Sequence, residues 1–304
     1  MTATKPNAQN TKRKKVSNQR FELLDAILIT ILTLWGLAIF LPFVNVVSVS
    51  LTSYKEYLET PLLLFPKQID FGSYQELFKD GRIWIGYKTT LTMLLVSVPL
   101  SIFLTSSTAY ALSRRGYPGR KFFFMVILFT MLFHGGIVPL YLVVKSLNLT
   151  NTIWSVVLTT CMNTFYMILM YNYFGSLPES LMESARLDGA GEWTILFRIV
   201  LPLSMPIIAT ILLFYSVDRW NEWFQSMIFI RKSSIQPLQL ILRSIVIDSQ
   251  VLDTQAAQVS IEETPFTNGI KMAAVMATMI PIMCVFPFLQ KHFAKGVMVG
   301  AIKS

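Results

Sequence analysis

The sequence predicts an all-α polytopic membrane protein with six transmembrane helices and a short cytoplasmic helix between the fourth and the fifth. Three observations predict it. Of the 304 residues, 53% are hydrophobic and 14% charged, against about 25% charged in an average soluble domain. Six runs free of Asp, Glu, Lys and Arg approach or exceed the roughly 20 residues that a helix needs to cross a hydrocarbon core about 30 Å thick. Basic residues gather at alternate ends of these runs, as the positive-inside rule requires. The same composition argues against a soluble enzyme. The net charge of +9 follows the topology, so nucleic acid is not expected as a partner and membrane lipid is.

Residues 1–21 form a basic cytoplasmic tail with Lys5, Lys12, Arg13, Lys14, Lys15 and Arg20, suited to an anionic leaflet. The transmembrane domain follows over 22–290, and 291–304 form a C-terminal cytoplasmic tail. The first span lies in Ala26 to Tyr54, too long an apolar run for a cleaved signal peptide. The segment from Lys55 to Lys88 balances basic and acidic residues and reads as an outside loop. The second span, Thr89 to Ser113, carries Ser101, Thr105, Ser106, Ser107, Thr108 and Ala109, small residues that let helices approach closely. Arg114, Arg115, Arg120 and Lys121 return the chain to the inside. The third, fourth, fifth and sixth spans are Phe122 to Val144, Ser146 to Pro178, Ile199 to Val217 and Met272 to Gln290. Both termini are then cytoplasmic, in a multi-pass protein of the cell membrane. Pro42, Pro99, Gly135, Gly136, Pro139, Pro206, Pro281 and Pro287 mark bends that a bundle tolerates. The long segment from Gln225 to Gly269 is expected outside.

Between the fourth and fifth spans, residues 176–202 form a cytoplasmic loop. Ser176 and Glu179 have capping-box spacing with Pro178 in the first turn. Leu181, Met182 and Ala185 share one helix face, Glu183 stands at i, i+3 from Arg186, and Gly189 supplies the stop. Three acidic residues, Glu179, Glu183 and Asp188, argue against this helix lying on an anionic leaflet.

Several chemistries find no residues to carry them. The sequence contains no GxxxxGK[ST] loop for nucleotide. Its two histidines, His134 and His292, and two cysteines, Cys161 and Cys284, assemble neither a catalytic triad nor a metal centre, so no cofactor or metal is expected on this chain. The six runs also lack the intramembrane carboxylate or lysine that marks a proton relay, which argues against a self-contained secondary transporter.

The loop carries a family signature. Glu183, Ser184, Ala185, then Gly189, then Ile199, Val200, Leu201 and Pro202 resemble the EAA loop of membrane permease subunits of ATP-binding-cassette importers, with Ser184 where the family usually has alanine. Trp220, Asn221, Glu222 and Trp223, with Phe293, Lys295, Gly296, Gly300 and Ala301, are similar to the carbohydrate branch, nearest to the maltose-type second permease and the oligosaccharide permeases of Gram-positive bacteria. The resemblance implies a type I importer half. It would form the pathway with a second homologous permease, receive sugar from an extracellular sugar-binding lipoprotein, and couple to a cytoplasmic ATPase dimer that holds the ATP and Mg. By the same resemblance, Leu181, Met182, Glu183, Ser184, Ala185, Arg186, Leu187, Asp188, Gly189 and Ala190 dock the ATPase, while Leu201 and Pro202 restart a membrane helix. Sugar sites combine aromatic faces with hydrogen-bonding groups. Asn163 and Tyr166 in the fourth span, with Trp220, Asn221 and Trp223 after the fifth, are the candidates for the substrate pathway.

Overall fold

The computed structural model describes residues 23–60, 63–114, 116–256 and 266–301, with side chains over 25–60, 63–114, 116–248, 266–285 and 287. The basic tail over 1–21 lies outside the described residues, as do residues 302–304 and the segment 257–265. Among the described residues all regular structure is helical.

Three spans are continuous helices: α1 (Leu23–Ser50), α4 (Gly81–Ser113) and α14 (Thr267–Ala301). Between the first two, Ser53 caps α2 (Tyr54–Glu59), and α3 (Gly72–Lys79) leads into Asp80, whose carboxylate accepts the Arg82 N–H at 2.9 Å to start α4. The Glu56 carboxylate takes the Lys67 N–H at 2.6 Å. That backbone hydrogen bond holds its pKa below the ordinary carboxylate value.

The other three spans are broken. The third divides into α5 (Arg120–Leu132) and α6 (Ile137–Ser146) at an angle of 114°, the fourth into α7 (Ile153–Thr159) and α8 (Thr164–Gly175) at 48°, and the fifth into α10 (Glu192–Leu203) and α11 (Met205–Trp220) at 87°. α9 (Glu179–Leu187) lies between α8 and α10, and the short α12 (Phe224–Phe229) follows α11. Counting each bent pair as one span gives the six that the apolar runs predict. Each break has a local cause. Gly136 takes the left-handed φ of +87° at the start of α6, a conformation open to glycine. Asn163 turns its side-chain oxygen to the N–H groups of Phe165 and Tyr166 at 2.9 and 3.3 Å, capping α8 where sequence alone read an uninterrupted span. Pro202 has no N–H to donate. The preceding turn widens into a π-turn over Leu196–Val200, and α10 ends at the Ser204 corner.

Of the cores packed along α4, two lie toward its opposite ends. At one, Ala109 and Tyr110 of α4 meet Met167, Met170 and Phe174 of α8, Met182 of α9, Ile195, Leu196 and Val200 of α10, and Tyr215 of α11. Ser101, Thr105, Ser106 and Ala109 are buried there, the close approach that their small side chains predict. At the other end, Ile83 of α4 packs with Leu77 of α3, Ala273 and Ala274 of α14, and Ile241 and Ile245 of α13 (Leu238–Ala256). The segment expected as an outside loop is therefore largely helix. Leu238, Ile241 and Ile245 recur at i, i+3 and i+7, so one stripe of α13 is buried while Arg243 and Asp248 face outward. By contrast, the apolar residues of α1 from Ile27 to Leu41 stand exposed within this single chain, as lipid or a further subunit would permit.

Candidate coupling helix and polar pathway cluster

The candidate coupling helix is α9. The expected capping box does not form: the Ser176 hydroxyl donates to the Tyr173 carbonyl at 2.7 Å, and Pro178 occupies the N-cap position. The C-terminal stop is as expected and complete. Gly189 adopts φ +81°, its N–H reaching the Arg186 carbonyl at 3.0 Å, and the Ala190 N–H reaches the Ala185 carbonyl at 2.9 Å. These two bonds make a Schellman motif.

Side chains of α9 divide into an inner and an outer face. Met182, read from sequence as part of the docking surface, is instead 1% exposed in the core. An Arg114 Nη1 donates to its sulfur. The Arg114 guanidinium also bonds the Ser113 hydroxyl and the Phe174 carbonyl and lies over the Tyr110 ring at 4.9 Å. Ala185 and Ala190 pack against the same core. Arg186 does not pair with Glu183. Its Nε donates to Glu192 Oε1 at 2.9 Å, and the Tyr110 hydroxyl donates to the other oxygen of Glu192 at 2.5 Å. Glu192 opens α10, so one carboxylate ties α4, α9 and α10 together. A hollow of about 570 Å³ opens beside it, walled by Tyr110, Arg114, Glu179, Arg186 and Trp193 among others. The outer face keeps Leu181, Glu183, Ser184, Leu187 and Asp188, with Leu187 89% exposed. Leu201 and Pro202 lie in the last turn of α10, within the first half of the bent fifth span. They close α10 ahead of the 87° corner, after which α11 begins at Met205 and Pro206. The sequence offers no direct sign that Arg114 and Glu192 anchor the helix, because Phe174 lies 60 residues from Arg114 and Tyr110 lies 82 residues from Glu192 in the chain.

A second cluster gathers at the break between α7 and α8. The Asn163 N–H donates to the Tyr215 hydroxyl at 3.0 Å, which in turn shares a 2.7 Å hydrogen bond with Thr105 of α4. Tyr166 stacks edge-on against Tyr215 at 5.0 Å and donates its hydroxyl to Asp218 at 2.9 Å. Arg219, 7% exposed, reaches the Thr160 hydroxyl and carbonyl. Asn221 and Trp223 border a hollow of about 350 Å³ with Asp218, Arg219 and Glu222, and the Arg243 guanidinium covers the Trp223 ring at 4.1 Å. Of the five pathway candidates, the structure thus gathers four in two adjoining groups. Trp220 is the exception, a packing residue 9% exposed whose indole N–H donates to the Thr278 carbonyl at 3.1 Å. Asp218 and Arg219 escaped the sequence reading because the charge-free run ends at Val217, whereas α11 continues through Trp220. Among the described residues no three of His, Cys, Asp and Glu gather as a metal would need.

Comparison with known proteins identifies this architecture. The family model described as binding-protein-dependent transport system inner membrane component matches residues 90–299. The polygalacturonan/rhamnogalacturonan transport system permease protein YtcP of Bacillus subtilis (strain 168) is 37% identical over 281 residues, 92% of this chain and 98% of that protein. Protein LplC of the same organism is 37% identical over 268 residues, 88% of this chain and 90% of its own length. A chain in the crystal structure of a bacterial ABC transporter that imports the acidic polysaccharide alginate superposes with a TM-score of 0.81 at 29% identity, covering 90% of this chain and 97% of that one. An 87° elbow behind an anchored helix, a bundle of broken spans and a family match across two thirds of its length lead to one conclusion: the chain belongs to the binding-protein-dependent transport system inner membrane components and is a permease subunit.

Proposed function

We propose that the chain is one membrane half of an ATP-driven oligosaccharide importer. It lines the pathway with a second, homologous permease, receives sugar from an extracellular sugar-binding lipoprotein, and is driven by a cytoplasmic ATPase dimer that binds the ATP and Mg. The observation that carries this reading is the two-faced α9. Its inner face is locked by Met182, Arg186 and the Glu192 carboxylate, while its outer face presents Leu181, Glu183 and Leu187 to a partner. A helix held this rigidly transmits a push as rigid-body motion instead of absorbing it. The elbow at Ser204 carries that motion into α11, which bears the polar cluster. Relatives named for polygalacturonan, arabinooligosaccharide and melibiose/raffinose/stachyose transport support a sugar as cargo. With α9 on the ATPase side, both termini are cytoplasmic, and α3 and α13 face the receptor.

The test is reconstitution of the permease pair with its ATPase and receptor in proteoliposomes, followed by uptake of labelled oligosaccharide. Uptake is expected to require ATP and receptor together. Flux that continues without the ATPase would replace the importer by a channel.

A further inference from the structure

Arg219 is a buried cation lacking a buried counter-charge. It sits in the last turn of α11 at 7% exposure. One Nη donates to the Thr160 hydroxyl and the other makes a long 3.4 Å contact with the Thr160 carbonyl, while the buried Nε–H finds no acceptor. Among the described residues no ion pair joins Arg219 to a carboxylate. The adjacent Asp218 turns to the Tyr166 hydroxyl. Glu222, also at the rim of the hollow, spends one oxygen on the N–H groups of Gln225 and Ser226 at 2.7 and 3.3 Å. Removing a guanidinium from water without an anion beside it is costly. Such a group inside a membrane protein marks a functional site, to be completed by whatever supplies the missing charge.

We propose that Arg219 is the carboxylate-binding residue of the polar cluster, and that the solute carried is an acidic oligosaccharide, a chain of uronic acids. This rests on the oligosaccharide-importer reading above and narrows it. The guanidinium offers a planar fork that suits a carboxylate. Its Nε–H is already free and its longest contact is the one most easily exchanged for a carboxylate oxygen. Trp223, one ring face of which Arg243 covers, and Asn221 border the same hollow and offer the other ring face and an amide to a sugar ring. A neutral sugar would leave the buried charge unanswered, so the site selects for the acidic form.

The experiment uses the assembled transporter in proteoliposomes with its receptor and ATPase, and two probes: trigalacturonate and its fully methyl-esterified, neutral counterpart. Wild type is expected to take up trigalacturonate. Arg219→Gln is expected to lower that uptake about tenfold or more, the loss of a hydrogen bond to a charged group, with Arg219→Lys intermediate. Co-purification of the second permease and the ATPase with Arg219→Gln reports that the assembly is intact. Wild-type import of the neutral probe but not the acid overturns the proposal and leaves the importer reading standing. Equal trigalacturonate uptake by wild type and Arg219→Gln also overturns it, as does loss of assembly in both Arg219 variants, which would make Arg219 a packing residue. Failure of wild type to import either probe, with ATP hydrolysis unresponsive to receptor, rejects the importer reading and the proposal together.

Discussion

Leu187 and Met182 are two apolar residues of one nine-residue helix with opposite duties. Leu187 is 89% exposed and Met182 1%. Their contrast separates docking from folding. Truncating Met182 to Ala removes a buried side chain from the α4–α8–α9 core and is expected to destabilise the permease by about 2–5 kcal/mol, lowering its melting temperature in detergent. Leu187→Ala removes nothing that the chain itself packs against. Its stability is expected to stay within about 0.5 kcal/mol of wild type, while ATPase association weakens by about 1–3 kcal/mol if Leu187 fills a partner pocket. Thermal unfolding and ATPase pull-down on the same two variants check both halves. Glu183→Lys belongs with Leu187, since its side chain lies on the outer face. It is expected to weaken ATPase retention while leaving membrane abundance unchanged.

At the scale of elements, the Glu192 carboxylate joins three helices, and its two hydrogen bonds define how stiff the coupling unit is. Glu192→Gln keeps the shape but replaces the charged acceptor for Tyr110 and Arg186. Tyr110→Phe removes one donor alone. Because both substitutions touch the same contact, their effects on transport are expected to be non-additive, with a coupling energy of about 0.5–3 kcal/mol in a double-mutant cycle. The readout is the ratio of sugar imported to ATP hydrolysed. Additive losses would show that Tyr110 and Glu192 act independently. Gly189 tests the neighbouring hinge: at φ +81° any L residue costs roughly 1–2 kcal/mol, although a Cβ there meets nothing within 4 Å. Gly189→Ala is therefore expected to loosen the end of α9 without a clash inside the chain, and Gly189→Trp to add a steric block against the ATPase. How far sequence reaches is plain at this scale. Apolar run length located the six spans, and a glycine after the amphipathic loop helix located its stop, because both are local properties. Run length missed the α7/α8 break, set by one Asn163 cap inside an apolar stretch, and the Ser204 corner, because hydropathy does not register φ and ψ. It missed Arg219 and the anchors of α9 for a related reason: each is defined by partners distant in sequence.

Across the whole molecule, α4 contributes to both packed ends. From Gly86 to Tyr110 it rises about 36 Å at 1.5 Å per residue, carrying the α13 core at one end and the Glu192 contact at the other. At Gly86 the backbone of α13 comes so close that a Cβ would stand 2.9 Å from Ile241 Cδ1 and 3.0 Å from the Leu238 Cα. Gly86→Ala is therefore expected to push α13 away, since backbone cannot yield as a flexible side chain does. If α13 faces the receptor, this variant loses receptor stimulation of ATP hydrolysis but retains the ATPase subunits, the reverse of Leu187→Ala. The orientation that gives these two ends their names is itself measurable. Gln75→Cys on the exposed side of α3 is the outside reporter, and Ser180→Cys on α9 the inside one. In sealed right-side-out vesicles an impermeant maleimide is expected to label Gln75→Cys directly and Ser180→Cys only after the membrane is opened. Labelling of Ser180→Cys in intact vesicles would place α9 on the receptor side and reverse the direction in which α4 connects the two ends.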